Sequence, residues 1–249
     1  MLDRVGLAEP AFRAYQRIRG RGATTTTAPD GLPLPPTHLR YVVIGYADPQ
    51  VFIDTGANQV AVLRERLEPA LAPPARLLDF GMGCARLTRH WLRDAGLEVE
   101  GTDYNRRLVS WVRANLPAVR ATTNLPEPPL EYPDGHFNAV YAVSVLTHLP
   151  AAVQQAWMQE FRRILAPGGR LVVTTHGAGH VGYMLPDERE RFAAGELVIR
   201  NEHSRGSNLC NSYDPPEWVR AHLLDGFTEV SFEPMHPAFA QDLWTLGAV

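Results

Sequence analysis

An acid followed by two glycines one residue apart stands in Leu77-Leu78-Asp79-Phe80-Gly81-Met82-Gly83-Cys84-Ala85-Arg86. The apolar lead-in reads as a buried strand. Gly81 and Gly83 carry no Cβ, so the backbone there can come close to a ligand. The pattern predicts a helix directly afterwards, near 86–95, whose free N–H groups would face whatever fills the turn. This is the layout of a nucleotide-type cradle at the carboxyl edge of a strand in an open α/β sheet. A second acid, Asp103, ends the next short apolar run and lies 24 residues beyond Asp79. A strand–helix–strand step carries such an acid to the tip of the neighbouring parallel strand, roughly 20 residues on, where it can accept from both hydroxyls of a ribose. The competing reading of Asp103 is an N-cap for the helix that begins near Asn105.

The details narrow the nucleotide. A dinucleotide fingerprint wants a third glycine three residues after the second; that position is Arg86. A P-loop needs Gly-Lys-Ser/Thr, and all 24 Lys+Arg residues of this chain are arginine. The remaining string, acid-x-Gly-x-Gly with Ala85 after it, resembles the first motif of class I S-adenosylmethionine-dependent methyltransferases. Two further blocks resemble the fourth and fifth strand regions of that family. One runs from Tyr132-Pro133-Asp134-Gly135 through Phe137–Val143 to Ser144-Val145-Leu146-Thr147-His148-Leu149. The other runs from Phe161-Arg162-Arg163 through Ala166-Pro167-Gly168-Gly169 to Leu171–Thr174. Together the blocks span about residues 76–176. Asn138 stands where the family often has Asp.

The resemblance implies a Rossmann-like, seven-stranded, mostly parallel sheet with an antiparallel terminal hairpin and helices on both faces. It implies S-adenosyl-L-methionine as cofactor, with Gly81 and Gly83 at its methionine end and Asp103 at its ribose. Tyr104 and the Asn124-Leu125 segment would flank adenine, and Asp79, Arg86 and Ser144 would complete the cofactor contacts. Asp103→Ala should then weaken cofactor binding and leave folding little changed, as for an exposed strand-end acid.

Methyl transfer asks the protein to align the acceptor with the methyl and to exclude water. A hydroxyl acceptor also needs a proton acceptor. His176, at the end of the fifth strand, is the leading candidate base. His148, after the fourth strand, is the second, with a helix-capping role as its competing reading. His180, His203 and Tyr213 are candidates from the segment that follows. Cys84 sits at a predicted helix start, where a thiol pKa can fall, but reads mainly as a small filler against the sheet. Tyr213-Asp214-Pro215-Pro216 reads as a helix start with Asp214 as N-cap and Pro215 in the first turn, not as an amino-methylating motif. Ser144 stands where a metal-dependent enzyme would need a carboxylate, and His203 and Cys210 lack zinc-site pairing. The expectation is no metal.

The elements that must position these groups are legible from the pattern. Strands near 76–80, 98–102, 118–122, 137–143 and 170–176 alternate with helices near 86–95, 105–115 and 151–165, as in a parallel sheet covered on both faces. Val60, Leu63, Leu67 and Leu71 predict a helix over Asn58 to Leu71, ended by Pro73-Pro74. Residues 1–20 have arginine-rich helical periodicity. Gly20 to Pro36 reads as a linker, and Leu39 to Phe52 carries aromatic and β-branched residues. Phe227–Phe232 and Asp242–Gly247 suit the terminal hairpin.

Residues 177–213 are surplus to a minimal fold. Glu196–Asn201 and Asn208–Tyr213 read as strands that pair, and the stretch is expected to form one wall of the acceptor pocket with His176 at its base. Gly20–Pro36 and the segment to Phe52 would close the other side. A dimer arm or a surface excursion is the competing reading, so a homodimer stays open. The resulting division is an N-terminal cap over 1–75 and a cofactor-binding domain over 76–249, with 177–213 as its lid.

At 249 residues, 45% hydrophobic, 20% charged and net charge −3, the composition is that of an ordinary globular chain. It shows no basic block for nucleic acid and no apolar run for a membrane. Two cysteines suggest no disulfide framework, and the expected setting is cytoplasmic. The flanks Pro35–Arg40, Gly206–Cys210 and Gln241–Trp244 resemble bacterial methyltransferases of sugars or secondary metabolites, which implies a small-molecule hydroxyl as acceptor. Two other functions stay open. One is a protein that binds the same cofactor without methylating, as a cyclase, decarboxylase or regulatory partner. The other, a dinucleotide oxidoreductase, is disfavoured by Arg86.

Overall fold

The computed structural model describes residues 27–249; the periodicity over 1–20 and the start of the Gly20–Pro36 linker fall outside them. The chain enters through α1 (Thr37–Ile44) and α2 (Pro49–Leu67). Asp48 caps α2 by accepting from the Gln50 N–H at 2.7 Å, and Pro49 takes the first helical position. The sheet is then built from β1 (Ala75–Phe80), β2 (Leu97–Asp103), β3 (Arg120–Thr123), β4 (Phe137–Ala142) and β5 (Leu165–Thr175). α3 (Arg106–Asn115) connects β2 to β3, and α4 (Ala151–Ile164) leads into β5. β8 (Phe227–His236) and β9 (Gln241–Ala248) close the chain. The strand order is β3-β2-β1-β4-β5-β9-β8, with β1 to β5 parallel and β9 antiparallel to both neighbours.

Both faces of the central strands are buried, which is why they read as apolar runs rather than alternations. Along β1, Leu78 and Phe80 face a core shared with Trp157 and Phe161 of α4, while Leu77 faces Val60, Leu63 and Leu67 of α2. β4 splits the same way, Val140 to the α4 side and Tyr141 to the α2 side. Packing α2 onto the sheet fixes the N-terminal segment over the carboxyl edge of β1.

The surplus segment is a small fold of its own. It holds a 3-10 turn (Ala178–Tyr183), α5 (Pro186–Ala193) and a two-stranded hairpin of β6 (Val198–Arg200) and β7 (Asn211–Tyr213). Met184, Phe192, Val198 and Tyr213 form its apolar centre, and Arg200 pairs with Glu188 across it. It ends at α6 (Pro216–His222). That helix is led by Pro215 with no side-chain cap. The expected Asp214 cap is thus corrected: its carboxylate is buried and accepts instead from Gln154 Nε2 and the Ser212 hydroxyl, both at 3.0 Å.

A second correction concerns the predicted helix near 86–95. After the glycine turn the chain makes only turns and a 3-10 segment, Thr88–Trp91. Ala85 takes a left-handed φ of 61°, which interrupts a regular helix. Tertiary ties hold the rest: Thr88 donates to Asp79 at 2.6 Å, Arg86 reaches back to Gln59 of α2, and Arg89 pairs with Asp30. No helix among the described residues is long and apolar enough to cross a membrane.

The turn itself demands glycine. Gly81 has φ 79°, and a Cβ there would lie 2.4 Å from Val145 Cγ2. Gly168 shares a positive φ of 74° but has nothing within 4 Å of its Cβ position. Both Gly→Ala changes carry the left-handed penalty of roughly 1–2 kcal/mol, and only Gly81→Ala adds the collision. Gly81→Ala is therefore expected to lower Tm by more than Gly168→Ala, whose own shift should be about 2–8 °C, in parallel thermal melts.

Candidate active site

A cavity of about 780 Å³ opens along the carboxyl tips of β1, β2 and β4. Its size lies within the usual range for small-molecule sites, about 300–1,000 Å³. The glycine turn forms its floor. Gly81 and Met82 donate their N–H groups to the Thr102 carbonyl at 2.8 and 3.0 Å, which joins the turn to the end of β2. Asp103 completes the joint: Oδ2 accepts from Gly83 N–H at 2.9 Å and Oδ1 from Asn105 N–H at 2.7 Å.

Asp103 lines the cavity yet is only 7% exposed. Burial raises its pKa to about 6 against the lowering effect of the two N–H donors. The expectation of an exposed acid is corrected here: the carboxylate organises the glycine turn as well as facing the cavity. The helix cap beside it is Asn105, which accepts from Arg107 N–H at 3.1 Å. Asp79 also lines the cavity, holds the Thr88 hydroxyl, and is pushed up to about 6 by burial. The Cys84 thiol is pushed up by burial to about 12, as fits a filler residue.

Tyr104 and Asn124 both line the cavity. Asn124 is fixed from two sides, accepting from the Thr102 hydroxyl at 2.9 Å and donating to the Leu125 carbonyl at 2.7 Å. Leu125 points away, 68% exposed, and Pro126 takes its place in the lining. Arg86 also lines the cavity and donates to Gln59 Oε1 at 2.7 Å. At the tip of β4, Ser144 holds a left-handed φ of 56°. Its N–H donates to Thr174 Oγ1 at 2.8 Å and its hydroxyl to Gln241 Oε1 at 3.0 Å. A non-glycine residue held in this conformation needs such ties.

The two candidate bases part company. His148 lines the cavity. Its Nδ1 lies 2.7 Å from the Cys210 carbonyl, so Nδ1 carries the proton and Nε2 keeps the lone pair. Burial lowers its pKa and keeps the ring neutral. His176 stands behind the lining, with Gln241 Nε2 at 3.2 Å from its Nε2 and Nδ1 enclosed without a partner. Burial, and then His180 and His148 nearby, push its pKa down to about 3. His180 packs on it at 4.2 Å between ring centroids, and Tyr213 at 5.8 Å. His203 lies in a one-turn segment, Glu202–Ser204, outside the lining.

Sequence reasoning passed over several wall residues. Thr55 and Gln59 come from α2, and Pro237 to Ala240 from the β8–β9 turn. The apolar face of α2 signalled only core packing. Of the surplus segment, only Arg205, Gly206 and Asn208 reach the cavity. This strap is tied down at three points. Arg205 pairs with Glu127 at 2.6 Å, Gly206 N–H donates to the His148 carbonyl at 2.8 Å, and Asn208 Nδ2 donates to the Val42 carbonyl at 3.2 Å. Among the described residues no group of three or more His, Cys, Asp or Glu side chains could hold a metal ion.

A methyltransferase-domain family model matches residues 54–231, most of the chain. The chain belongs to this methyltransferase family. Its cofactor is S-adenosyl-L-methionine, and the cavity fits it, with a glycine floor, the buried Asp103 carboxylate and the Arg86 guanidinium all in its lining. EEF1A lysine methyltransferase 4 of Mus musculus is 26% identical over 169 residues, 59% of this chain and 66% of that protein. A Malonyl-(acyl-carrier protein) O-methyltransferase of Halorhodospira halophila is 33% identical over 134 residues, 48% of this chain and 44% of that one. The chain thus spans about half to two-thirds of the curated relatives it matches. Among solved structures, Burkholderia thailandensis 1,6-didemethyltoxoflavin-N1-methyltransferase shares the fold, with TM-score 0.56 and 18% identity over 87% of this chain and 92% of that one.

Two outcomes follow from the buried acid and the buried histidine. Asp103→Ala orphans two backbone N–H groups, each costing about 1–3 kcal/mol. It should therefore lower both stability and cofactor affinity, whereas Asp103→Asn should keep more of the first than of the second, as melts and calorimetry will show. For His176, the folded pKa lies below the ordinary 6.5, so the unfolded chain binds more protons. Stability that is complete above pH 6.5 should fall as pH drops toward 3. Denaturant titrations of wild type and His176→Gln should show the variant gaining on wild type over that window.

Proposed function

We propose that this protein transfers the methyl group of S-adenosyl-L-methionine to a hydroxyl on a small molecule with an apolar body. The observation that carries the reading is His148, neutral and held in one tautomer by the Cys210 carbonyl, on the wall of a largely apolar chamber. Val42, Ile44, Val51, Pro237 and Phe239 supply much of that wall. Such a lining favours a secondary metabolite over a sugar. When bound, the cofactor supplies an electrophilic methyl on a sulfonium. The protein's part is to align the acceptor, keep water out and take one proton.

Each group has a place in that scheme. Asp103 receives the ribose hydroxyls, with Tyr104 and Asn124 beside the base. Gly81 and Gly83 admit the amino-acid end. His148 Nε2 accepts the hydroxyl proton. His176 acts through Gln241, which its ring holds against Ser144; it is a positioning residue here rather than the base. Val42–Tyr46, the start of α2 and the strap at 205–208 form the cover, the described part of the Gly20–Pro36 linker stays outside the lining, and the remainder of 177–213 braces the strap.

Release of S-adenosylhomocysteine should be measured with S-adenosylmethionine and three acceptor panels: apolar-bodied phenols and alcohols, sugars, and lysine peptides. Turnover is expected with the first. Turnover with lysine peptides alone would overturn the small-molecule reading. His148→Asn keeps a donor for the Cys210 carbonyl and loses the lone pair. It should lower kcat by about 10²–10⁴-fold while cofactor affinity changes less than about threefold.

A further inference from the structure

Gln241 reaches the cavity from the side of the sheet away from β2. It opens β9, which stands four strand positions from β2 in the sheet order, past β1, β4 and β5. At about 4.8 Å between neighbouring strands, its backbone lies roughly 19 Å along the sheet edge from the tip that carries Asp103. The side chain extends to Ser144 at the tip of β4, lines the cavity, and leaves the residue only 8% exposed.

A glutamine amide offers one acceptor oxygen and two N–H groups. Here Oε1 accepts from the Ser144 hydroxyl at 3.0 Å. One N–H faces His176 Nε2 at 3.2 Å. That ring is neutral, so it keeps a lone pair to receive the bond. The second N–H has no partner among the described residues. Turning the amide over would exchange Ser144 and His176 and still leave one N–H over. The other lining residues of these two tips, Val143, Val145 and Pro237 to Ala240, carry no side-chain acceptor for it. A nearly buried donor without a partner is costly, and the cost falls when a ligand oxygen arrives.

His148, four residues beyond Ser144, is the complementary group. Its Nδ1 is committed to the Cys210 carbonyl, and its Nε2 lone pair engages no described residue. The chamber therefore shows an incoming molecule one lone pair and one donor on largely apolar walls. A hydroxyl that accepts a methyl group gives its proton to the base and a lone pair to the methyl carbon. A donor on that same oxygen would hold back the attacking electrons, so the Gln241 N–H is matched by a different oxygen.

We propose that Gln241 is a specificity residue that touches the acceptor: its spare N–H binds a second oxygen, an ether, carbonyl or hydroxyl on the atom next to the reacting hydroxyl. The preferred acceptor is then an apolar-bodied molecule with two neighbouring oxygens. This rests on the reading of His148 as the proton acceptor for a hydroxyl. Ser144 and His176 act on the second oxygen only through the amide, which they hold from two sides.

The test is a matched pair of acceptors, 3-methoxy-2-naphthol and 3-ethyl-2-naphthol. They share the reacting hydroxyl and the apolar body and differ by one oxygen in place of a methylene. Wild type should use the methoxy compound with a kcat/KM higher by roughly ten- to a hundredfold, as for a buried donor matched rather than left bare. Gln241→Leu removes the donor and should bring that ratio to within about threefold of one. Gln241→Glu keeps an acceptor for the Ser144 hydroxyl and puts a carboxylate in place of the donor, and should bring the ratio to one or below. The ratio is read on a single protein, so a loss of folded or cofactor-loaded enzyme cannot mimic its collapse, and if one variant does not fold the other carries the comparison. A wild-type ratio near one would overturn the proposal. A ratio that survives in the variants would overturn it too, leaving Gln241 as a brace for Ser144. Turnover of neither naphthol while simpler phenols or alcohols are methylated would also overturn it. No turnover of any hydroxyl acceptor by enzyme that binds S-adenosylmethionine would instead refute the hydroxyl reading itself, a distinct result.

Discussion

The bond between the Asp103 carboxylate and the Gly83 N–H is the constraint on which the rest of the site depends. The two glycines of the turn have no side chains to hold it in shape, and only Met82 between them is packed in a core. It is fixed from the neighbouring strand, through Asp103 at one point and the Thr102 carbonyl at two more. Because β1 and β2 pair in parallel, with Phe80 opposite Thr102, both tips end at the same height. The same carboxylate is then already aligned beside the cavity. Rigidity of the floor and a carboxylate in the cavity lining come from one group.

The cover is assembled from segments far apart in the chain. α2 brings Val51, Thr55 and Gln59 to the cavity because its other face is buried against Leu77 and Tyr141 of the sheet. The β8–β9 turn arrives because β9 pairs with β5, and Gln59 Nε2 donates to the Ala238 carbonyl at 2.8 Å to join the two. The strap at 205–208 hangs from the hairpin of the surplus segment. Its ion pair is half exposed on both sides, so it contributes little on its own; the two backbone-directed hydrogen bonds define its position.

Histidine chemistry in this site is decided by burial. His148 and His176 belong to one polar cluster, 6.4 Å apart between ring centroids. Both are depressed below the ordinary histidine range, chiefly by loss of water. Only one of them lines the cavity. The other is turned toward Gln241 and supports Ser144 through it.

The sequence by itself determined the fold class and the glycine turn at the carboxyl end of β1. Apolar runs at Leu77–Phe80 and Phe137–Ala142, an acid before two glycines, and a second acid one strand–helix–strand step later are local or fixed-spacing signals. A sheet buried on both faces leaves few other ways to arrange them. Tertiary structure alone decided the rest. The predicted helix after Ala85 gave way to turns because Thr88, Arg86 and Arg89 find partners on β1, α2 and the N-terminal loop. Asp214 left its cap position for a buried pair of donors, and His148 rather than His176 came to line the cavity. Each of these outcomes includes at least one partner far away in the chain: Gln59 for Arg86, Gln154 for Asp214, Cys210 for His148. No periodicity in one segment encodes where a side chain on another will offer its hydrogen bond.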